Sequence, residues 1–196
     1  MEKDALYGIH DLKFRKINEN NAEQQARFPI ERRLCMFDAR LSPHVSKKAR
    51  RLPVRQQAAA MCYRFDHGRS EVLLVTTRKS GRWIFPKGWL IDGLTPSETA
   101  QQEAWEEAGI RGKCDARPMG RFLYQKRHRK EGSVLCVVDV FPLLVTSFLS
   151  RFPECGQRKR KWVTPKKATQ LVNSPELALL LRKLEPARHW DAFQGA

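Results

Sequence analysis

The sequence predicts an α+β domain carrying a basic N-terminal extension. Three observations point there: strand-like segments dominate the middle of the chain, one sharply delimited helix interrupts them, and helix-like segments close it. At 196 residues there is room for one compact domain and an appendage. Apolar residues make up 41% of the chain, enough for a hydrophobic core, so wholesale disorder is excluded despite 30% charged residues.

Residues 1–55 are polar and end in SPHVSKKARRLPVR, where prolines bracket a basic run, and they read as an extension and linker. Within them residues 11–27 could form a short helix, with Leu12, Phe14 and Ile17 defining only a weak face. A domain is expected over 56–185, followed by a tail over 186–196. From Gln57, AAAMCYRF, a polar turn DHGRS with Gly68, and EVLLVTTR read as a hairpin. RWIF is a third short strand, and PKGWLIDG, punctuated by Pro86, Gly88 and Gly93, is expected as a loop.

A helix then starts at Pro96. Thr95 is a good N-cap, proline suits the first helical position, and Glu98 three residues after the cap completes a capping box, while Gly109 supplies the stop. Beyond it, GRFLYQ and SVLCVVDVFPLLV read as strands, RKRK as a basic turn into a short strand WV, and PKKATQLV and SPELALLLRKL as helices. No repeat or low-complexity tract is present.

With 37 Lys+Arg against 21 Asp+Glu the net charge is +16, which draws polyanions and leaves nucleic acid, nucleotide polyphosphates, inositol phosphates and anionic lipid surfaces all admissible. The first twenty residues are charged every few positions and lack the apolar stretch of a secretory signal, so a cytoplasmic protein is expected. The longest apolar stretch, Val134 to Leu149, is broken by Asp139 and Pro142, so no membrane partner is expected. Five scattered cysteines without metal-ligand spacing read as reduced thiols.

The helix from Pro96 to Ala108 carries the chemistry. At 100° per residue Glu103, Glu106 and Glu107 share one side, and Ala100, Ala104 and Ala108 form a neighbouring stripe small enough for close packing on a sheet. Three clustered carboxylates repel one another, and a hard divalent ion such as Mg²⁺ or Mn²⁺ would relieve that repulsion. A solvated acidic face is the plainer alternative for the Glu106–Glu107 pair alone.

The surroundings favour the metal. The run GWLIDGLTPSETAQQEAWEEAGI, Gly88 to Ile110, resembles the Nudix box, G-x5-E-x7-R-E-U-x-E-E-x-G-U. Gly88, Glu103, Glu106, Glu107, Gly109 and Ile110 sit at the family spacing, with Ala104 at the apolar position. Leu94 stands where the first glutamate belongs and Gln102 where the arginine belongs. With RWIFPKGW before the box, the resemblance extends over Gln56 to Leu184 and is greatest to the diphosphoinositol polyphosphate phosphohydrolase-like branch.

That resemblance implies the Nudix fold, a mixed sheet sandwiched between helices, and hydrolysis of a diphosphate linkage. It implies Glu103, Glu106 and Glu107 as catalytic groups and metal ligands, with the backbone carbonyl of Lys87 as a further ligand. A ligand from outside the box is also open, with Glu131 and Asp139 as candidates. Arg78, Arg82, Lys87, Trp89, Lys126 and Arg127 are the expected substrate-binding residues, suited to an anionic, phosphate-rich small molecule. KKARR and RKRK could equally be linker charges or contacts to RNA phosphates, so an RNA 5′-end pyrophosphohydrolase is an alternative. A silent domain that binds nucleotide or RNA is the other, motivated by Leu94 and Gln102. Trp83 and Phe85 alternate on one strand face and are expected in the core.

Overall fold

The structure is a computed structural model that describes residues 51–128 and 132–183. Most of the expected extension, including the weak helix and all of the KKARR run but Arg51, lies outside the described residues, as do Glu131 and the tail over 186–196.

Strands β1 (Val54–Asp66) and β2 (Arg69–Thr76) form the expected hairpin. Its two-residue turn needs left-handed backbone at both positions, supplied by His67 (φ 47) and Gly68 (φ 74). Two short strands follow, β3 (Trp83–Ile84) and β4 (Lys87–Trp89). The second falls inside the segment expected as a loop. It forms because β1 offers it a ladder, Gln57↔Trp89, Ala58↔Gly88 and Ala59↔Lys87, which local sequence cannot announce.

Helix α1 (Pro96–Ala108) has the predicted ends: Thr95 accepts from the Glu98 N–H, Glu98 reaches back to the Thr95 N–H at 2.7 Å, and Gly109 closes it at φ 65. Strand β5 (Ile110–Cys114) was not expected, since its alternation is masked by two basic residues and Gly112. Strands β6 (Gly120–His128), β7 (Gly132–Phe148) and β8 (Arg160–Val163) follow, then helices α2 (Pro165–Leu171) and α3 (Pro175–Lys183).

The strands join one mixed sheet in which β1 and β7 are parallel and the other pairs antiparallel. The long β7 pairs first with β6 through Val140 and then with β5 from Leu143. Pro142 sits at this change of partner. Its carbonyl accepts from the Asp115 N–H at 2.9 Å, so its proton-less nitrogen faces the same junction, where no ladder bond is missed.

Both sheet faces are covered, which explains why β1 reads as an unbroken apolar run instead of alternating. Ala59, Met61 and Tyr63 face a core closed by Leu177, Leu180 and Leu181 of α3, with Phe85 and, at its edge, Trp83. Ala58, Ala60 and Cys62 face the other core, closed by Ala100, Ala104 and Ala108 of α1, all fully buried. Alanine against alanine lets α1 lie close on β1 and sets the depth of the neighbouring glutamates. Among the described residues no helix is long and apolar enough to cross a membrane.

Candidate active site on the box helix

The carboxylates of Glu103 and Glu107 meet the sheet at β4. Gly88 makes this contact: a Cβ there would lie 1.7 Å from Glu103 Oε1, so only glycine lets the carboxylate in. Burial pushes the Glu103 carboxyl up to about 7, and the neighbouring charges of Glu107 and Glu106 push the same way. Lys87 opposes them.

Glu107 is only 7% exposed. Its Oε2 accepts the Lys87 backbone N–H at 3.2 Å, and its Oε1 is bound by the Arg158 guanidinium. Burial still holds its pKa above the ordinary carboxylate range, outweighing Arg158. Glu106 accepts from Gln102 Nε2 at 2.6 Å. A neutral amide thus stands where the family has arginine, and Leu94, where the first glutamate belongs, is about a third exposed and asks for no counter-ion.

Sequence reasoning missed Glu154, and it took Arg158 for part of a turn. The loop before β8 carries both to the acidic face. Arg158 Nε donates to Glu154 at 2.6 Å and Nη1 to the Thr76 carbonyl at 3.0 Å. The Glu154 N–H donates to the Glu106 carbonyl at 3.0 Å, tying this loop to α1. The one local signal was an acid four residues before an arginine in an otherwise basic stretch.

The expectation for RKRK is therefore corrected at two positions: alternation into β8 turns Arg158 and Arg160 inward. Arg160 donates to the carbonyls of Ala108 (2.7 Å) and Leu149 (3.0 Å) and lies over the rings of Phe148 and Phe152, so both arginines are engaged within the fold.

The expected substrate-binding residues separate into groups. Lys87 and Trp89 stand two residues apart on β4 and share the face opposite Gly88. There Lys87 Nζ donates to the Tyr124 hydroxyl at 3.1 Å, and Lys126 Nζ lies 4.6 Å from the Trp89 ring centre. Burial lowers the Lys87 pKa, Glu107 works against that, and Lys126 adds to it. Burial holds the Tyr124 phenol above its ordinary range. Arg127 alternates to the other face of β6 and is exposed. Arg78 is drawn to Glu154 at 3.1 Å, and Arg82 bonds within its own turn to Ser80 and Thr77. Of the outside candidates for a ligand, Asp139 is committed to Arg121.

Three oxygen-donor carboxylates on one helix side, with Glu103 raised toward neutrality by burial first and by the charges of Glu107 and Glu106 after it, have the donor chemistry of a hard divalent cation site. Among the described residues no group of three such side chains is arranged to hold an ion, and on Glu107 a guanidinium takes the cation's place.

Comparison with known proteins identifies the family. The NUDIX domain model matches residues 55–186, well over half of the chain, and the chain belongs to the Nudix family. It is 38% identical to Nudix hydrolase 12, mitochondrial, of Arabidopsis thaliana over 104 residues, 52% of this chain and 51% of that protein. It is 30% identical to diphosphoinositol polyphosphate phosphohydrolase 3-beta of Bos taurus over 135 residues, 67% of this chain and 78% of that protein. The chain thus spans about half the length of the plant relative and more of the bovine one. The solved Ap4A hydrolase of C. elegans, as a binary complex, superposes with a TM-score of 0.53 at 22% identity, covering 66% of this chain and 94% of that one. At that identity the likeness is one of fold.

Proposed function

We propose that this chain is a divalent-metal-dependent hydrolase that cleaves a diphosphate linkage in a phosphate-rich small molecule, such as a diphosphoinositol polyphosphate or a dinucleoside polyphosphate. The observation that carries this reading is the Glu103 carboxylate seated under Gly88 with Glu107 beside it on the Lys87 N–H, the first half-buried and the second buried against the sheet. Glu103, Glu106 and Glu107 would hold Mg²⁺ or Mn²⁺, with the Lys87 backbone carbonyl as a further ligand. The ion supplies neutralisation of the diphosphate oxygens and a more acidic water. One of these glutamates, or one from elsewhere, would assist removal of the proton from the attacking water.

The cations on the opposite face of β4 extend the reading to the substrate. Lys87 and Lys126 stand on that face, and the Lys126 ammonium lies against Trp89. Together they suit a ligand carrying more phosphate than the linkage to be broken. Relatives named for diphosphoinositol polyphosphates support this class.

Phosphate release should be measured with diphosphoinositol phosphates, dinucleoside polyphosphates, ADP-ribose, nucleoside triphosphates and triphosphorylated RNA, with Mg²⁺ or Mn²⁺, for the unmodified chain and Glu107→Gln. Turnover of one class, abolished by the substitution, is expected. One observation favours a second reading, a silent binding domain: both Glu107 oxygens are already engaged, by Arg158 and by the Lys87 N–H. Ligand binding without turnover on the whole panel would establish it in place of the hydrolase.

A further inference from the structure

The Lys87 ammonium is held in place by a short chain of hydrogen bonds that the acidic site does not use. Lys87 Nζ donates to the Tyr124 hydroxyl at 3.1 Å, and that hydroxyl donates to Gln57 Oε1 at 2.7 Å. The three residues come from β4, β6 and β1, and Gln57, at the inner end, is only 3% exposed. The β1–β4 register sets Gln57 opposite Trp89 and Ala59 opposite Lys87, which places the lysine stem beside the glutamine on one face. Its Nζ lies 4.8 Å from the Tyr124 ring centre.

The polarity of this chain is fixed from its buried end. A phenol has one proton to give, here to the Gln57 oxygen, with the Cys136 thiol also in hydrogen-bond contact, while an ammonium has donors only. The hydroxyl must therefore turn a lone pair to Lys87 and can only accept from it. Of the three ammonium donors Tyr124 takes one, which fixes the nitrogen while leaving its charge intact. A lysine otherwise has four rotatable bonds to immobilise when it meets a ligand, and a nitrogen already anchored loses less freedom.

We propose that Tyr124 and Gln57 are positioning residues: they hold the Lys87 ammonium at a set point for a phosphate oxygen of the substrate. This rests on the reading of Lys87 and Lys126 as a phosphate subsite. It assigns a role to two residues that carry no charge and do not belong to the box. Tyr124 acts through Lys87, so removal of its hydroxyl matters only while the lysine is there.

The test is a double-mutant cycle on the full chain. Binding of inorganic tripolyphosphate in EDTA, at fixed salt, is measured calorimetrically for the unmodified chain, Tyr124→Phe, Lys87→Met and the pair, with thermal unfolding of each. EDTA removes the divalent ion, so the reading does not depend on turnover. Tyr124→Phe should raise Kd up to about tenfold, the cost of immobilising one long side chain that is no longer anchored beforehand, and should change nothing once Lys87 is Met. Gln57→Leu should weaken binding in the same direction. The same loss in both backgrounds, or none in either, overturns the positioning role while leaving the subsite standing. If the unmodified chain does not bind tripolyphosphate at millimolar concentration, the subsite falls and the positioning role with it.

Discussion

Gly88→Ala tests the depth at which the box helix meets the sheet. The new methyl would sit 1.7 Å from Glu103 Oε1 and 2.2 Å from Cδ, so the carboxylate must retreat by more than 1 Å to reach ordinary contact. Gly88 lies in extended backbone paired with Ala58, and alanine is conformationally at home there. In the absence of the clash the substitution would be neutral or stabilising by about 0.4–1 kcal/mol through the unfolded chain. With the clash, overpacking should cost about 1–3 kcal/mol. A reacting group misplaced by about 1 Å should lower kcat about 100-fold. The decisive assay is urea unfolding of Gly88→Ala in two backgrounds, native and Glu103→Ala. The cost should appear in the first and vanish in the second, because the displaced atoms are then gone. An equal cost in both would place the strain in the backbone and refute the seating of Glu103 under Gly88.

Glu103 makes the metal-free protein less stable as pH rises. Its folded pKa, about 7, lies above the unfolded value of 4.5, so the folded state binds more protons between them; the stabilisation is complete below about 4.5 and lost as pH rises to about 7. The contribution is at most about 3 kcal/mol. Urea midpoints in EDTA should fall over that window more steeply than for Glu103→Gln, and saturating Mg²⁺ should flatten the curve; parallel slopes for the two proteins would count against it. Arg158→Gln removes the counter-ion from a buried glutamate and should cost about 3–5 kcal/mol at pH 8, less at pH 5 where Glu107 can take a proton; unfolding at both pH values checks it. Thr95→Ala removes the cap of α1 and should cost about 1 kcal/mol, read as a lowered thermal midpoint.

The box helix was legible because everything that defines it is local. Thr95, Pro96, Glu98 and Gly109 set its ends within one short segment, and the 100° turn per residue alone puts Glu103, Glu106 and Glu107 on one side. The same holds for the β1–β2 hairpin, whose turn chemistry sits in two residues, and for Trp83 and Phe85, which alternate into the core as expected. Strand β4 was illegible for the opposite reason: three residues between Pro86 and Gly93 have no strand signal of their own and extend only against the edge of β1. In β5, Arg111 and Lys113 face outward and hide the alternation of Ile110, Gly112 and Cys114.

Residue types and their spacing along one helix determined which carboxylates this protein gathers, and composition determined that it would be basic. Which charges answer those carboxylates was decided by the fold. Arg158 is 51 residues from Glu107, Tyr124 is 37 from Lys87 and 67 from Gln57, and no periodicity connects positions so far apart. They meet because β1 and β7 run parallel at the centre of the sheet, which brings β4 and β6 to one region of it, while β8 folds back onto β2 and brings its preceding loop beside α1. An arginine in a basic run carries no mark of whether strand alternation will turn it inward to a buried acid or outward to solvent, and only the packed sheet settles that.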